Sequence, residues 1–248
     1  MNETKQKPWI LVTGGSRGIG KEIVMTLSKQ YHVIFTWRQS SDEAQKLIEY
    51  CCQQGGQVEG LQCDGADCDM VRNVAHRLIE TQGPAYALIN NAGITRDSIF
   101  LGMDVHNWLD VIDNNLNASF YWTRAILPGM VDAGRGSIVM MSSVSGLNGN
   151  IGQTNYSATK AALIAFARSL ALEVARFGVR VNAIAPGIIN TDMVSNIPEK
   201  DRANLCKLVP MKRVGDVSEV ASLVEYLIGD QSRYITGQCL VIDGGLTA

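Results

Sequence analysis

Short apolar runs alternate with amphipathic stretches along almost the whole 248-residue chain. Runs such as Ile10–Val12 and Ile138–Met141 are continuously apolar, as expected for strands of a parallel sheet that is buried on both faces. The stretch Ser41–Gln54 has polar capping residues at its start and Gly55-Gly56 after its end, which is typical of a helix. Strand–helix alternation indicates right-handed βαβ units. The sequence therefore predicts an α/β fold with a doubly wound, mostly parallel sheet of about seven strands and helices on both faces.

The predicted elements follow one another without a repeat, a low-complexity segment or a linker. Strands are predicted at Trp9–Thr13, His32–Thr36, Gln57–Gln62, Tyr86–Asn90, Ser137–Met141, Val179–Ala185 and Cys239–Ile242. Helices are predicted at Gly18–Gln30, Ser41–Gln54, Asp67–Gln82, Asp104–Val131, Asn155–Phe177, Glu199–Leu208 and Val217–Ile228, with Pro128 kinking the fourth. One Rossmann domain is therefore expected over residues 1–248.

The balance of residue types narrows the class of protein. The formal net charge is −2 and there is no basic run, which argues against nucleic acid as a partner. The apolar run Trp9–Val12 is too short for a signal peptide or a membrane span, so a cytoplasmic protein without a membrane partner is expected. The six cysteines include no Cys-x-x-Cys pair, so we expect reduced thiols and no metal site.

A glycine-rich loop follows the first predicted strand and leads into the first helix. Its sequence is Thr13-Gly-Gly-Ser-Arg-Gly-Ile-Gly20, with glycines at 14, 18 and 20. Glycine lets the backbone turn sharply and approach a pyrophosphate, whose charge is stabilised by a helix N-terminus. An ordinary glycine-rich turn would look similar, but the position after the first strand favours a dinucleotide site.

The end of the second strand indicates which dinucleotide binds. An acidic residue there would bind a free ribose 2′-hydroxyl and repel a 2′-phosphate. This chain instead has Thr36-Trp-Arg-Gln-Ser-Ser41, in which Arg38 can hold a phosphate and Ser40 or Ser41 can donate to it. Arg17 adds a second cation, so NADPH is favoured over NADH. Asp64, after the third strand, is expected to accept a hydrogen bond from the adenine amino group, with a simple turn residue as the alternative.

Three polar residues form a candidate proton-transfer site. Tyr156 and Lys160 stand four residues apart in a predicted helix and so share a face. The nearby ammonium is expected to favour the phenolate and so to lower the pKa of Tyr156, which is about 10 in free tyrosine. Lys160 can also hold the nicotinamide ribose. Ser143, thirteen residues before Tyr156, can donate to a substrate carbonyl, with Ser142 and Ser145 as alternatives.

Asn90-Asn91, Ser143 and Pro186-Gly187 also follow predicted strands directly, so they should share one edge of the sheet with the glycine loop. Together these residues resemble the short-chain dehydrogenase/reductase family over nearly the whole chain. The matching segments are Thr13–Gly20, Asp64, Asn90–Gly93, Asn115, Ser143, Tyr156-x-x-x-Lys160 and Pro186–Thr191.

This resemblance implies roles for further residues. Asn115 would complete a catalytic tetrad with Ser143, Tyr156 and Lys160, holding a helix carbonyl and a water that links Lys160 to solvent. Asn114 is a rival for that role. Asn91 to Gly93 would support the adenosine side of the cofactor, while Ile189 and Thr191 would bind the nicotinamide carboxamide. The full set of expected cofactor contacts is Gly14, Ser16, Arg17, Gly18, Ile19, Gly20, Arg38, Ser40, Asp64, Gly65, Asn91, Ala92, Gly93, Tyr156, Lys160, Pro186, Gly187, Ile189 and Thr191.

Within that family, several segments resemble bacterial 3-oxoacyl-(acyl-carrier-protein) reductases. They are Gly93–Asp97, Asn155–Lys160, Pro186–Met193 and Tyr234–Gly237. The resemblance implies a role in fatty-acid biosynthesis and lipid metabolism, with an acyl carrier protein bringing the substrate. The alternatives are a reductase of another ketone (acetoacetyl-CoA, a polyketide or a small carbonyl) and a catalytically silent NADP-binding regulator. Trp37-Arg38 departs from the small polar residues of some of these reductases, and the long Gly146–Gln153 loop leaves the acyl pocket undefined.

The resemblance also implies how the chain assembles and meets its carrier. Helices Asp104–Val131 and Asn155–Phe177 resemble the pair through which the family dimerises, and the last strand resembles its second contact, so a homotetramer is expected. Arg135, Arg168 and Arg176 are candidates for a basic rim at the active-site entrance that would steer an acidic carrier. Their alternative role is that of solvated surface arginines.

Overall fold

A computed structural model describes residues 7–191 and 199–248 of the chain. Within them lies a parallel sheet whose strand order is β3-β2-β1-β4-β5-β6-β7. Its strands are β1 Trp9–Val12, β2 His32–Trp37, β3 Gln57–Gln62, β4 Ala87–Asn90, β5 Gly136–Met141, β6 Val179–Pro186 and β7 Cys239–Ile242. The order reverses between β1 and β4, and this switch point is where doubly wound sheets bind ligands.

The helices connect these strands and cover both faces of the sheet. They are α1 Gly18–Leu27, α2 Ser41–Gln53, α3 Cys68–Gln82, α4 Val105–Ile112, α5 Ala118–Asp132, α6 Ser145–Asn148, α7 Thr154–Val174, α8 Glu199–Leu208 and α9 Val217–Ile228. Short 3-10 turns lie at Phe100–Gly102, Ala175–Phe177 and Asp230–Ser232, and a π-helical segment at Asp113–Asn117 joins α4 to α5.

Two hydrophobic cores lie on opposite faces of the sheet. Leu11 of β1 points into the core formed with α3, α5 and α7, whereas Ile10 and Val12 point into the core formed with α1, α2 and α9. This alternation follows from the two-residue period of a strand. It explains why strands such as Ile10–Val12 are apolar at every position, and it confirms the predicted fold class.

Most predicted boundaries agree with the structure within a few residues, and the differences have local causes. The long predicted helix Asp104–Val131 contains the π segment, which no sequence pattern indicated. Pro128 lies inside α5, which continues to Asp132. The predicted loop Gly146–Gln153 begins within the short helix α6. Ser40 is the N-cap of α2, but its side chain makes no capping hydrogen bond.

In the described ranges, no helix combines the length and the apolar character needed to cross a bilayer. All six cysteines are free thiols.

Candidate active site

The glycine loop is joined to the loop after β4 by side-chain hydrogen bonds. Oγ1 of Thr13 accepts from the backbone N–H groups of Asn91 and Ala92, both at 3.0 Å. Nδ2 of Asn91 donates to the carbonyls of Thr13 and Gly14 at 3.0 and 3.1 Å. A Cβ on Gly20 would overlap the carbonyl oxygen of Gly14 and lie 2.5 Å from Nδ2 of Asn91. The tight turn at the N-terminus of α1 therefore depends on the absence of a side chain there.

A cavity of about 560 Å³ lies between these loops, within the range of small-molecule sites. Of the residues expected to contact a cofactor, those lining it are Gly14, Ser16, Arg17, Gly18, Ile19, Gly20, Arg38, Ser40, Asp64, Gly65, Asn91, Ala92, Gly93 and Thr191. Its volume, its glycine turn and the helix N-terminus beside it fit a dinucleotide.

Sequence reasoning missed part of the lining. The additional residues are Thr13, Thr36, Trp37, Gln39, Cys63, Ile94, Asn114, Ala118, Ser119 and Trp122. Several of them flank expected contacts, as Trp37 and Gln39 flank Arg38. Their position next to an expected contact in the sequence could have identified them. Ala118, Ser119 and Trp122 come from α5, and only the three-dimensional packing brings that helix to the cavity.

The structure places the remaining expected cofactor contacts outside the cavity lining. They are Tyr156, Lys160, Pro186, Gly187 and Ile189. The carbonyl of Pro186 accepts from Val144 N at 3.0 Å, and Gly187 N donates to Ile242 O at 2.9 Å. Asp192 and Met193, which end the matching segment after β6, lie outside the described residues.

Arg38 points into the cavity between two acceptors. Its Nη1 donates to Oδ1 of Asn114 at 3.0 Å and lies 3.9 Å from Oδ2 of Asp64. Asp64 also accepts a hydrogen bond from Ala66 N at 3.0 Å, so it does form the turn that was its alternative role. Arg17, at the N-cap of α1, is exposed and lines the same cavity. The expected cations therefore both face one site.

Lys160 is buried beside the strand that leads to Ser143. Its Nζ donates to the carbonyl of Met141 at 2.7 Å and lies 5.4 Å from the centre of the Tyr156 ring. Burial lowers the pKa of Lys160 to about 8, because it penalises the charged form. A Cβ on Gly93 would lie 3.4 Å from Nζ of Lys160. Since Gly93 lines the cavity, Lys160 lies directly behind the cavity wall.

Tyr156 differs from its sequence-based expectation. Burial raises the pKa of its phenol above the ordinary value; Asp97 raises it further, and a hydrogen bond with the Ser143 side chain acts in the opposite direction. The expectation of a lowered pKa in this state was wrong, because desolvation is the larger effect and the ammonium of Lys160 is directed at the Met141 carbonyl.

The structure separates the three candidate serines. The Ser143 side chain is near enough to Tyr156 to oppose the rise in the pKa of its phenol, and Oγ of Ser143 accepts from Ser145 N at 3.2 Å. Oγ of Ser142 is buried and donates to the carbonyl of Lys160 at 2.7 Å, whereas Oγ of Ser145 donates to Gln153 at 3.2 Å. Ser142 and Ser145 therefore hold the backbone and the neighbouring loop.

Asn115 and Asn114 point in different directions from the π segment. Asn115 is fully buried; its Oδ1 accepts from Ile94 N at 2.8 Å, and its Nδ2 donates to the Ile94 carbonyl at 3.0 Å. The carbonyl it holds therefore belongs to the loop after β4 and not to a helix, which corrects the expectation. Asn114 faces the cavity and Arg38. A π turn changes the helical register, and such turns are frequent at functional sites.

The expected carrier-steering arginines do not rim this edge of the sheet. Arg135 directly precedes β5, and Arg176 lies shortly before β6, so both are near the amino ends of those strands. Ser143 follows the carboxyl end of β5, about 20 Å away for a six-residue strand. Arg168 lies twelve residues along α7 from Tyr156, which places it about 18 Å from that residue. The expectation that they surround the entrance within one chain was wrong.

Comparison with known proteins agrees with this geometry. The family model described as short chain dehydrogenase matches residues 8–202. Similar curated proteins include the 3-oxoacyl-[acyl-carrier-protein] reductases FabG of Pseudomonas aeruginosa and Escherichia coli, each 39% identical over 95% of this chain and 96% of the relative. The enzyme of that name from Thermotoga maritima is 37% identical over the same shares. The chain therefore belongs to the short-chain dehydrogenase family and is an oxidoreductase that uses a nicotinamide cofactor.

Proposed function

We propose that the protein reduces a 3-oxoacyl thioester, carried on an acyl carrier protein, to the 3-hydroxyacyl thioester with NADPH as the reductant. The observation that carries the proposal is that Tyr156 lies beside Lys160, directly behind the wall of the dinucleotide cavity, with the Ser143 side chain near enough to influence the pKa of the phenol. The curated relatives named as reductases of this substrate class support the choice of substrate.

The preference for NADPH rests on the charges around the cavity. Arg38 and Arg17 both line it, and Ser40 lies beside them. A guanidinium pairs well with a phosphate and gains little from a neutral ribose hydroxyl. The nearby carboxylate of Asp64, 3.9 Å from Arg38, belongs to the turn after β3 and not to β2. The charged residue directly after β2 is therefore the cation Arg38.

The proposed chemistry assigns one role to each polar group. The bound cofactor supplies the hydride. Ser143 donates to the substrate ketone and orients it, and Tyr156 delivers the proton to the same oxygen. The phenol of Tyr156 is protonated at neutral pH, since burial raises its pKa above the ordinary value, so the proton to be delivered is present. Lys160 holds the nicotinamide ribose, and Asn115 fixes the loop after β4 that carries Gly93.

We further propose that residues 1–248 form one catalytic domain and that four copies assemble as a homotetramer. Two other functions remain as alternatives: a reductase of another ketone, and a catalytically silent NADP-binding regulator. The position of Ser143 and Tyr156 beside Lys160 disfavours the silent regulator, because a scaffold has no need of that arrangement.

A substrate panel tests the proposed reaction. The protein should oxidise NADPH with a 3-oxoacyl group on acyl carrier protein, more slowly with the same group on coenzyme A, and least with a simple ketone. The largest kcat/KM on a ketone without a thioester would favour the reductase of another substrate. Absence of turnover on the whole panel, with NADPH bound, would favour the silent regulator.

Exchanging the charge of Arg38 tests the cofactor assignment. Arg38→Asp removes a charge-assisted contact and adds repulsion, so it should weaken NADPH by about 2–4 kcal/mol and NADH far less. The measurement is kcat/KM for each cofactor at saturating acyl substrate. Equal losses with both would contradict a 2′-phosphate site at Arg38.

A further inference from the structure

Asn114 is the cavity residue that contacts Arg38 from the opposite side. Arg38 follows β2, whereas Asn114 belongs to the π segment between α4 and α5, 76 residues away along the chain. Both side chains line the cavity, and Nη1 of Arg38 donates to Oδ1 of Asn114 at 3.0 Å. The Arg38 backbone is held separately, since its carbonyl accepts from Nε2 of Gln62 at 3.0 Å. The loop is thus fixed by β3, and the guanidinium is fixed by Asn114.

The orientation of the Asn114 amide is set by its neighbours in α4. Its Nδ2 donates to both the carbonyl and Oδ1 of Asp110, at 2.8 and 2.9 Å. The other carboxylate oxygen of Asp110 pairs with Arg96 at 3.0 Å. Because the amide nitrogen is committed to Asp110, the amide oxygen must face Arg38. Asn114 therefore presents a neutral acceptor in a fixed direction.

Asp64 is the competing acceptor for the same guanidinium. Its Oδ2 lies 3.9 Å from Nη1 of Arg38, at the outer limit of an ion pair, and its Oδ1 is held by Ala66 N. A carboxylate is a stronger acceptor than an amide. Without Asn114, Arg38 would turn toward Asp64 and would have to leave it before binding an anion. The bond to Asn114 uses one of the five N–H donors of a guanidinium, so others can face a phosphate.

We propose that Asn114 is a positioning residue that holds the Arg38 guanidinium in the cavity, away from Asp64, where the 2′-phosphate of NADPH binds. The inference rests on the NADPH preference of the proposed function. Asn114 acts through Arg38 and contacts neither Ser143 nor Tyr156. Its removal should therefore change the discrimination between NADPH and NADH.

The test is a measurement of the Kd for NADPH and for NADH. Nicotinamide fluorescence reports the binding, and no acyl substrate is present. Asn114→Ala should raise the Kd for NADPH about fivefold, the size of one ordinary hydrogen bond, and leave that for NADH within about twofold. Asn114→Asp places beside Arg38 a carboxylate that competes with the phosphate, so it should raise the NADPH Kd by at least about tenfold.

Asn117 provides a matched control. It lies in the same π segment, is equally half-buried, and donates its Nδ2 to Asp113 four residues earlier at 2.7 Å. Asn117→Ala removes the same kind of helical contact and should leave the ratio of the two Kd values unchanged. Thermal melting shows whether each variant folds, and Asn114→Leu, which keeps the branched shape of the side chain, replaces Asn114→Ala if that variant is unfolded.

A double-mutant cycle separates positioning from general damage. On an Arg38→Ala background, Asn114→Ala should change the NADPH Kd by less than about twofold, because its effect passes through the missing guanidinium. Three results would overturn the inference and leave the NADPH preference standing. They are an unchanged NADPH Kd in Asn114→Ala, an equal rise in the Kd values of both cofactors, and the same rise in the NADPH Kd when Arg38 is already alanine. If the wild type binds both cofactors equally and Arg38→Ala is not selective, the preference and the inference both fail.

Discussion

The pair Ser142 and Ser143 shows how two adjacent, chemically identical side chains acquire different tasks at the end of β5. Ser142 points into the protein and holds the Lys160 carbonyl, whereas Ser143 points toward Tyr156. The alternation of a strand, continued for two residues past its end, accounts for the difference. The thirteen-residue spacing favoured Ser143, but only the fold shows what Ser142 does.

Alanine substitutions at these serines should therefore have opposite effects. Ser143→Ala should lower kcat by about 10²-fold, since a donor to the developing oxyanion is lost, and it should change the free energy of unfolding less than Ser142→Ala, because the half-buried Ser143 Oγ accepts only the longer bond from Ser145 N. Ser142→Ala should cost about 1 kcal/mol of folding free energy, the value of one buried hydrogen bond, and keep most of the rate. Steady-state kinetics and urea unfolding of both variants check this, and a reversed pattern would assign the wrong serine to the substrate.

The buried ammonium of Lys160 should make stability depend on pH. Its pKa is about 8 in the folded protein and about 10.4 in an unfolded chain, so between these values the unfolded state binds the extra proton. Raising the pH from 8 to 10 therefore favours folding through this group, by up to about 3 kcal/mol. Lys160→Met lacks the group. As the pH rises from 8 to 10, the free energy of unfolding of the wild type should therefore increase relative to that of the variant. Parallel pH profiles would contradict the burial of a titrating Lys160.

At the scale of secondary structure, an element could be predicted only where its own neighbouring residues form a recognisable sequence pattern. The glycine turn and the α1 N-terminus were predictable because Gly14, Gly18 and Gly20 are local requirements of one backbone path. The π segment at Asp113–Asn117 was not, because its residues show no pattern that separates it from an α-helix. That register change is what sends Asn115 inward and Asn114 toward the cavity, so the assignment of the two asparagines needed the structure.

A methyl group on Gly20 tests the tight turn at α1. In Gly20→Ala the new Cβ would overlap the Gly14 carbonyl and approach Asn91, so the loop must shift and cofactor affinity should fall at least about tenfold. The control is Gly102→Ala, where the nearest atom to a Cβ is 3.9 Å away. The stabilisation of each variant by NADPH in a thermal melt provides the measurement. A Gly20→Ala protein with wild-type stabilisation would contradict a close approach of pyrophosphate to this turn.

At the scale of the whole molecule, exposed apolar side chains lie on the outer helices of the chain. Leu172 on α7 is 86% exposed, and Phe120 on α5 is also exposed, on the two helices expected to pair with a second copy. The sequence suggested this pairing through resemblance alone, because a single chain cannot show which outer face is covered. The misplaced arginine rim has a similar cause, since sequence position did not reveal that α7 carries Arg168 away from the entrance.

The assembly prediction has a mutational test. Light scattering at micromolar concentration should give four times the 27.0 kDa chain mass for the wild type. Leu172→Glu places a charge in the proposed helix–helix contact and should lower the mass. Tyr50→Glu, on exposed α2, serves as the control and should keep it. A wild-type mass of one chain would contradict the homotetramer, and equal masses in all three proteins would exclude Leu172 from the interface.

The central claim is that Tyr156 delivers the proton in an NADPH-dependent reduction of a 3-oxoacyl thioester. Tyr156→Phe keeps the ring and its packing but removes the acid. The measurement that tests the claim most directly is the initial rate of NADPH oxidation with a carrier-bound 3-oxoacyl substrate, alongside the Kd for NADPH. The account predicts at least about a 10²-fold loss of kcat with the Kd unchanged within about twofold. Wild-type turnover by Tyr156→Phe would contradict it.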